Sequence, residues 1–231
     1  MPIIEQSPIK PDFADNPQIR CPCVLLLDKS KSMDGPPIEQ LSRGLVILKD
    51  KLAVDDLASQ RVEVGIVTFG GTTEIASEFT SVEGFHPPKL SADGDTTPMG
   101  AAVLTGIRMV KDRKEMYKLW GIPYYRPWIM MITDGEPNDG DAWKEAAKQV
   151  RQGEASNEFC FFAVGVGGAN FDLLKQLSVR DPLALDGLRF QELFLWLSTS
   201  LSAVSRSSPT SAAPLTDPTS GPNGWASTAS I

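Results

Sequence analysis

The stretch CVLLLDKSKS at residues 23–32 decides the reading of this chain. Five apolar residues end in Asp28, and a loop then places Ser30 and Ser32 at alternate positions. A continuous apolar run suits a strand buried on both faces, as at the centre of a parallel sheet. The pattern recurs. WIMMITDG at 128–135 is a second buried strand ending in an acid, and FCFFAVGVG at 159–167 is a third buried strand without one.

Between these runs the period changes. Ile38, Leu41, Leu45, Leu48 and Leu52 recur at spacings of three and four, and GPP at 35–37 places proline in the first turn of that helix. TTPMGAAVLTGIRMV, the segment around Trp143, Ala146, Ala147 and Val150, a short piece at Phe171–Leu177 and a last stripe of Leu193, Trp196, Leu197, Leu201 and Val204 read as further helices. VEVGIVTFG (62–70) and TEIASEFT (73–80) flank Gly70-Gly71 and predict a hairpin. One more edge strand is expected before Phe190. The fold class is therefore α/β: a doubly wound, mostly parallel sheet with helices on both faces and one antiparallel edge hairpin. Residues 1–20 carry four prolines and read as an extended lead-in; residues 21–204 form the domain. From 205 to 231 all but Arg206, Leu215, Asp217, Asn223, Trp225 and Ile231 are Ser, Thr, Pro, Gly or Ala, so the tail is expected to be disordered. Trp225 reads there either as a docking anchor or as an incidental aromatic.

In open α/β sheets ligands bind outside the carboxyl ends of the strands, which puts Asp28 and Asp134 at one rim. Three segments supply hard oxygens there: Asp28-Lys29-Ser30-Lys31-Ser32, Thr96-Thr97-Pro98-Met99-Gly100 and Thr133-Asp134-Gly135. Oxygen donors without sulfur or imidazole favour Mg²⁺ or Mn²⁺, with Ca²⁺ and zinc behind them, and few carboxylates among hydroxyls suit Mg²⁺ best.

The net charge of −7 disfavours nucleic acid as a partner. Cys21, Cys23 and Cys160 form no disulfide framework and suit free thiols in a reducing cytosol. The N-terminus lacks a secretory signal pattern and no apolar run is long enough to span a membrane, so a cytoplasmic location is expected. His86 beside Pro87 reads as a loop residue. Gly165-Val-Gly-Gly lacks the full dinucleotide fingerprint, and no phosphate-binding loop motif occurs.

In this order the residues resemble the von Willebrand A family and its metal-ion-dependent adhesion site (MIDAS), with Asp28, Ser30, Ser32, Thr97 and Asp134 on the positions of its motif. Thr97 is preferred to Thr96 because Thr97-Pro-Met-Gly-Ala-Ala-Val fits the family's run. Lys31 stands where the family usually has glycine between the two serines. RCPCVLLLD, GPPIEQ and PYYRPWIMMITDGEPND further resemble TerY-type proteins of bacterial tellurite-resistance and stress clusters. That resemblance implies a non-catalytic, metal-dependent recognition module, associated with a protein kinase and a 2C-type phosphatase. An Asp or Glu of a partner is expected to complete the metal shell, and Lys29, Lys31, Asp95 and Glu136 read as the rim around it. Two alternatives stand beside it. One is a magnesium-dependent phosphotransferase using Asp28 as nucleophile, although Ser30 occupies the position of that chemistry's second acid. The other is a scaffold with a vestigial metal site.

Overall fold

Both acid-terminated runs become strands without an exposed residue. β1 spans Cys21–Asp28 and β4 spans Trp128–Thr133, buried throughout. The computed structural model describes residues 16–208, 215–220 and 224–228. Most of the expected lead-in therefore lies outside the described residues.

β2 (Val62–Gly70) and β5 (Cys160–Val166) flank that central pair, and β3 (Thr72–Ser81) turns back antiparallel on β2. β6 (Leu183–Leu185) extends the parallel set beyond β5, and β7 (Ala226–Thr228) pairs antiparallel with β6. The order is β3-β2-β1-β4-β5-β6-β7. The sheet runs outward in both directions from the β1/β4 pair, so the strand order reverses between Asp28 and Thr133. That reversal is where such sheets open a crevice.

Alternation along β1 divides the core. Cys21, Cys23, Leu25 and Leu27 face α1 (Pro36–Ala53), the short α2 (Ala58–Arg61) and α6 (Phe190–Arg206), together with Met130 and Ile132 of β4. Val24 and Leu26 face α3 (Met99–Leu119), α4 (Gly140–Ala155) and α5 (Phe171–Leu177). The α1 stripe Ile38, Leu41, Leu45, Leu48 and Leu52 is buried as its spacing predicts. Each such leucine contributes about 1.5–3 kcal/mol. A polar residue at Leu26 would strand its group between β1 and the α3 layer.

The sheet departs from expectation at its far edge. Of the 205–231 tail expected to be disordered, residues 209–214, 221–223 and 229–231 lie outside the described residues; in the rest, α6 continues to Arg206, and Ala226–Thr228 add a second antiparallel strand. β6 is therefore not an edge. Trp225 is the reason: it is fully buried, with its ring 5.5 Å from that of Trp196. Its backbone N–H donates to Pro218 O and its carbonyl accepts from Asp186 N–H, each at 2.9 Å. One buried indole offsets the ordering of a few small residues, which average composition does not register.

Candidate functional site

Asp28 ends β1 with no exposure at all, and both its oxygens are engaged. The backbone N–H of Ser30 donates to Oδ1 at 2.8 Å, and Thr133 Oγ1 donates to Oδ2 at 2.5 Å. Thr133 in turn accepts the Gly135 N–H at 3.1 Å, so the end of β4 is keyed to the end of β1.

Past Asp28 the chain makes a short 3₁₀ turn at Lys31–Met33. There the Ser30 and Ser32 hydroxyls approach to 3.0 Å, and Ser32 Oγ donates to Asp134 Oδ1 at 2.7 Å. Ser30 is buried, Ser32 exposed and Asp134 half-buried. The expected segments thus meet as one run of oxygens from β1 to β4.

The third segment is laced between the other loops. Lys31 N–H donates to Gly94 O at 2.8 Å, Asp93 N–H to Lys29 O at 3.2 Å, and Gly71 N–H to Thr96 O at 2.7 Å. Gly94 must be a glycine here, because a Cβ would lie 2.0 Å from the Gly70 carbonyl carbon. These bonds bring Thr97 to the rim, where Asn138 N–H donates to its carbonyl at 3.3 Å. A Cβ built on Gly135 would lie 3.2 Å from Thr97 Oγ1 and 3.3 Å from Asp28 Oδ2, so both oxygens border one small space.

Burial holds the Asp28 carboxyl above the usual carboxylate range, against the lowering effect of its Ser30 and Thr133 hydrogen bonds. Burial likewise raises Asp134, opposed by its bond from Ser32. Two carboxylates whose charge is disfavoured by burial, beside three hydroxyls, form an oxygen set whose charge a bound cation would offset. Among the described residues no three His, Cys, Asp or Glu side chains cluster as metal ligands. The donor set at the rim is mostly hydroxyl.

The outer residues separate. Lys29 pairs with Asp93 at 3.1 Å, whereas Lys31 and Asp95 are exposed. Glu136 Oε1 accepts from Asn170 at 2.8 Å, which ties it to the start of α5. Asp139 does not cap its own helix with its side chain; its Oδ2 accepts the Ala101 N–H of α3 at 2.8 Å. Sequence reasoning carries Thr133 only within the Thr133-Asp134-Gly135 segment and Asp139 mainly as a cap for the following helix, and assigns no role to Asp93. Thr133 alone carried a local signal, as a hydroxyl next to a strand-terminal acid. His86 is exposed in the loop before α3, and the free thiols lie elsewhere; burial pushes that of Cys21 up to about 12.

A family model of the von Willebrand factor type A domain matches residues 23–185, from β1 to the end of β6. The chain belongs to this family. This von Willebrand A domain is 24% identical over 161 residues to inter-alpha-trypsin inhibitor heavy chain H3 of Mesocricetus auratus, covering 68% of this chain and 18% of that protein. It is 28% identical over 162 residues to the collagen alpha-5(VI) chain of Mus musculus, covering 67% and 6%. The domain thus spans less than a fifth of either relative. Among solved structures it resembles proximal thread matrix protein 1 from the mussel byssus, in a form with a zinc-occupied MIDAS motif. The TM-score is 0.52 at 18% identity, covering 80% of this chain and 48% of that one. Among the described residues no helix is long and apolar enough to cross a membrane.

Proposed function

We propose that this von Willebrand A domain is a non-catalytic recognition module that binds a protein partner through a divalent metal. The observation that carries this reading is the oxygen run at the rim. In octahedral coordination with metal–oxygen distances of about 2.0–2.1 Å, neighbouring oxygens stand about 2.9 Å apart. Ser30 and Ser32 are separated by 3.0 Å and Ser32 and Asp134 by 2.7 Å, so the residues present fit such an ion.

Asp28, Ser30, Ser32, Thr97 and Asp134 are the residues that would hold it. Three of these five side chains are neutral hydroxyls, so an ion held mainly by them, with the two carboxylates acting largely through water, would keep its electrophilic character. When bound, the ion supplies an electrophilic position for an Asp or Glu carboxylate of the partner. Asp28 and Thr133 hold the loop in register for that contact, and Lys31, Asp95 and Glu136 form the rim around it. All-oxygen donors and a mostly neutral shell support Mg²⁺ or Mn²⁺ over Ca²⁺. The mussel relative's zinc-occupied motif supports a metal at this position in the fold.

The finer setting rests on the resemblance to TerY-type proteins. In that setting the module acts in the cytoplasm, in a tellurite-resistance or stress-signalling assembly with a protein kinase and a 2C-type phosphatase. A nucleophilic role for Asp28 fits the geometry poorly, since both of its oxygens already accept hydrogen bonds and it has no exposure.

Titration calorimetry with Mg²⁺ and Mn²⁺ tests the reading. Saturable one-site binding is expected, weakened on the order of tenfold or more by Ser32→Ala. Absence of saturable binding to the native chain would contradict it and favour a scaffold with a vestigial site.

A further inference from the structure

Two lysines flank Ser30, and the structure gives them different fates. Lys29 is half-buried and its ammonium is committed to Asp93 Oδ1 at 3.1 Å. Lys31 is held firmly at its backbone, donating to Gly94 O at 2.8 Å and accepting from Asp34 N at 3.2 Å. Its side chain is exposed and, among the described residues, makes no ion pair, not even with the neighbouring exposed Asp34. The other charged groups facing this rim are acidic: Asp95 is exposed, and Glu136 is occupied by Asn170. A fixed backbone with an unspent cation thus sits between the two serines of the site.

An ammonium on a four-carbon stem reaches about 6 Å from its Cα. In an extended peptide, side chains two residues apart share a face and stand about 6.6 Å apart. The two lengths are of the same order, so an ammonium anchored between Ser30 and Ser32 has the reach for an acid two residues from one held at the site. Resting on the metal-dependent reading above, we propose that Lys31 reads a second carboxylate, two residues from the metal-bound one, on an extended acidic segment of the partner. The recognised pattern is therefore acid-x-acid rather than a single acid. Lys29 takes no part, because its charge is already neutralised by Asp93.

The test uses the full chain in saturating Mg²⁺ with two blocked pentapeptides, Gly-Asp-Gly-Asp-Gly and Gly-Asp-Gly-Asn-Gly, titrated by NMR. Native chain is expected to prefer the two-acid peptide by about two- to fivefold, as for an exposed ion pair. That preference shrinks in 0.5 M salt. Lys31→Gly should lower the affinity for the two-acid peptide more than that for the one-acid peptide and so abolish the preference, and Lys31→Glu should invert it. Mn²⁺ affinity measured on each variant separates an effect on the ion from an effect on the second acid. Equal affinity of the native chain for both peptides would overturn the assignment of Lys31, while leaving metal-dependent recognition standing. So would a Lys31→Gly change that scales both peptides alike and tracks Mn²⁺ affinity. Failure of both peptides to bind a metal-loaded chain would overturn both readings.

Discussion

Thr133 and Asp28 lie 105 residues apart in sequence and join the ends of β4 and β1 through one hydrogen bond, Thr133 Oγ1 to Asp28 Oδ2. The bond has two consequences. It gives a fully buried carboxylate one of its two partners, and it sets the spacing of the crevice where the strand order reverses. Asp134, the next residue along, then meets Ser32 rather than solvent alone.

Removing that hydroxyl should therefore be costly in proportion to the charge on Asp28. Thr133→Val keeps the shape of the side chain and leaves a buried carboxylate oxygen without its donor. A loss of about 1–3 kcal/mol is expected in metal-free denaturation at pH 7. Below the range where Asp28 protonates the loss should shrink. An equal loss at both pH values would place the effect in packing instead.

The raised carboxyls fix the direction of the pH response. A group whose folded pKa lies above its unfolded value contributes stability below the unfolded value and loses it as pH rises through the folded one. Burial raises both Asp28 and Asp134, so the metal-free domain carries a charge cost at neutral pH. Asp28→Asn should accordingly stabilise the metal-free chain at pH 7, with the difference vanishing in acid. Metal affinity of the native chain should fall with acidification, starting above the usual carboxylate range. Calorimetry and urea melts across pH check both; a metal affinity that is flat down to pH 4 would contradict the burial argument.

The core was legible wherever a local period sufficed. CVLLLD and WIMMIT read as buried strands because no polar residue interrupts them, and the leucines of α1 read as one face. Asp28, Ser30, Ser32, Thr97 and Asp134 were legible as a pattern spread over three loops, and the fold brings all three loops to one rim. What stayed hidden depends on partners distant in sequence. Nothing near Lys29 announces that Asp93 will neutralise it while Lys31 stays exposed. Asp139 reads as a cap for α4, yet packing turns its carboxylate to α3. β7 hides in a tail whose small residues suggest no structure, because its stability comes from Trp225 settling against Trp196.

That contact predicts a measurable role for the tail. Trp225→Ala removes a fully buried indole and should cost about 3 kcal/mol in urea unfolding. Deleting residues 215–231 should cost a similar amount and expose Trp196, shifting its fluorescence to the red. A variant indistinguishable from native in both readouts would show that β7 adds nothing to the domain.

Gly94 offers a test of the loop lacing. A methyl there meets the Gly70 carbonyl carbon at 2.0 Å, so Gly94→Ala must push the 93–97 segment away from the β2–β3 turn. Because Lys31 and Thr96 are bonded through the same segment, metal affinity should drop on the order of tenfold, with α1 and α6 unaffected by hydrogen exchange. Unchanged metal affinity would mean that Thr97 is placed by α3 alone.

The most direct measurement is thermal unfolding of the native chain, Asp28→Ala and Thr97→Ala against rising Mg²⁺ and Mn²⁺. An ion that binds only the folded state adds about 2.7 kcal/mol at a hundredfold excess over its dissociation constant. A metal site at this rim predicts a metal-dependent rise in the native melting temperature that both substitutions abolish while the folded baseline persists. A native chain whose melting temperature ignores both ions, or a rise that survives both substitutions, would contradict it.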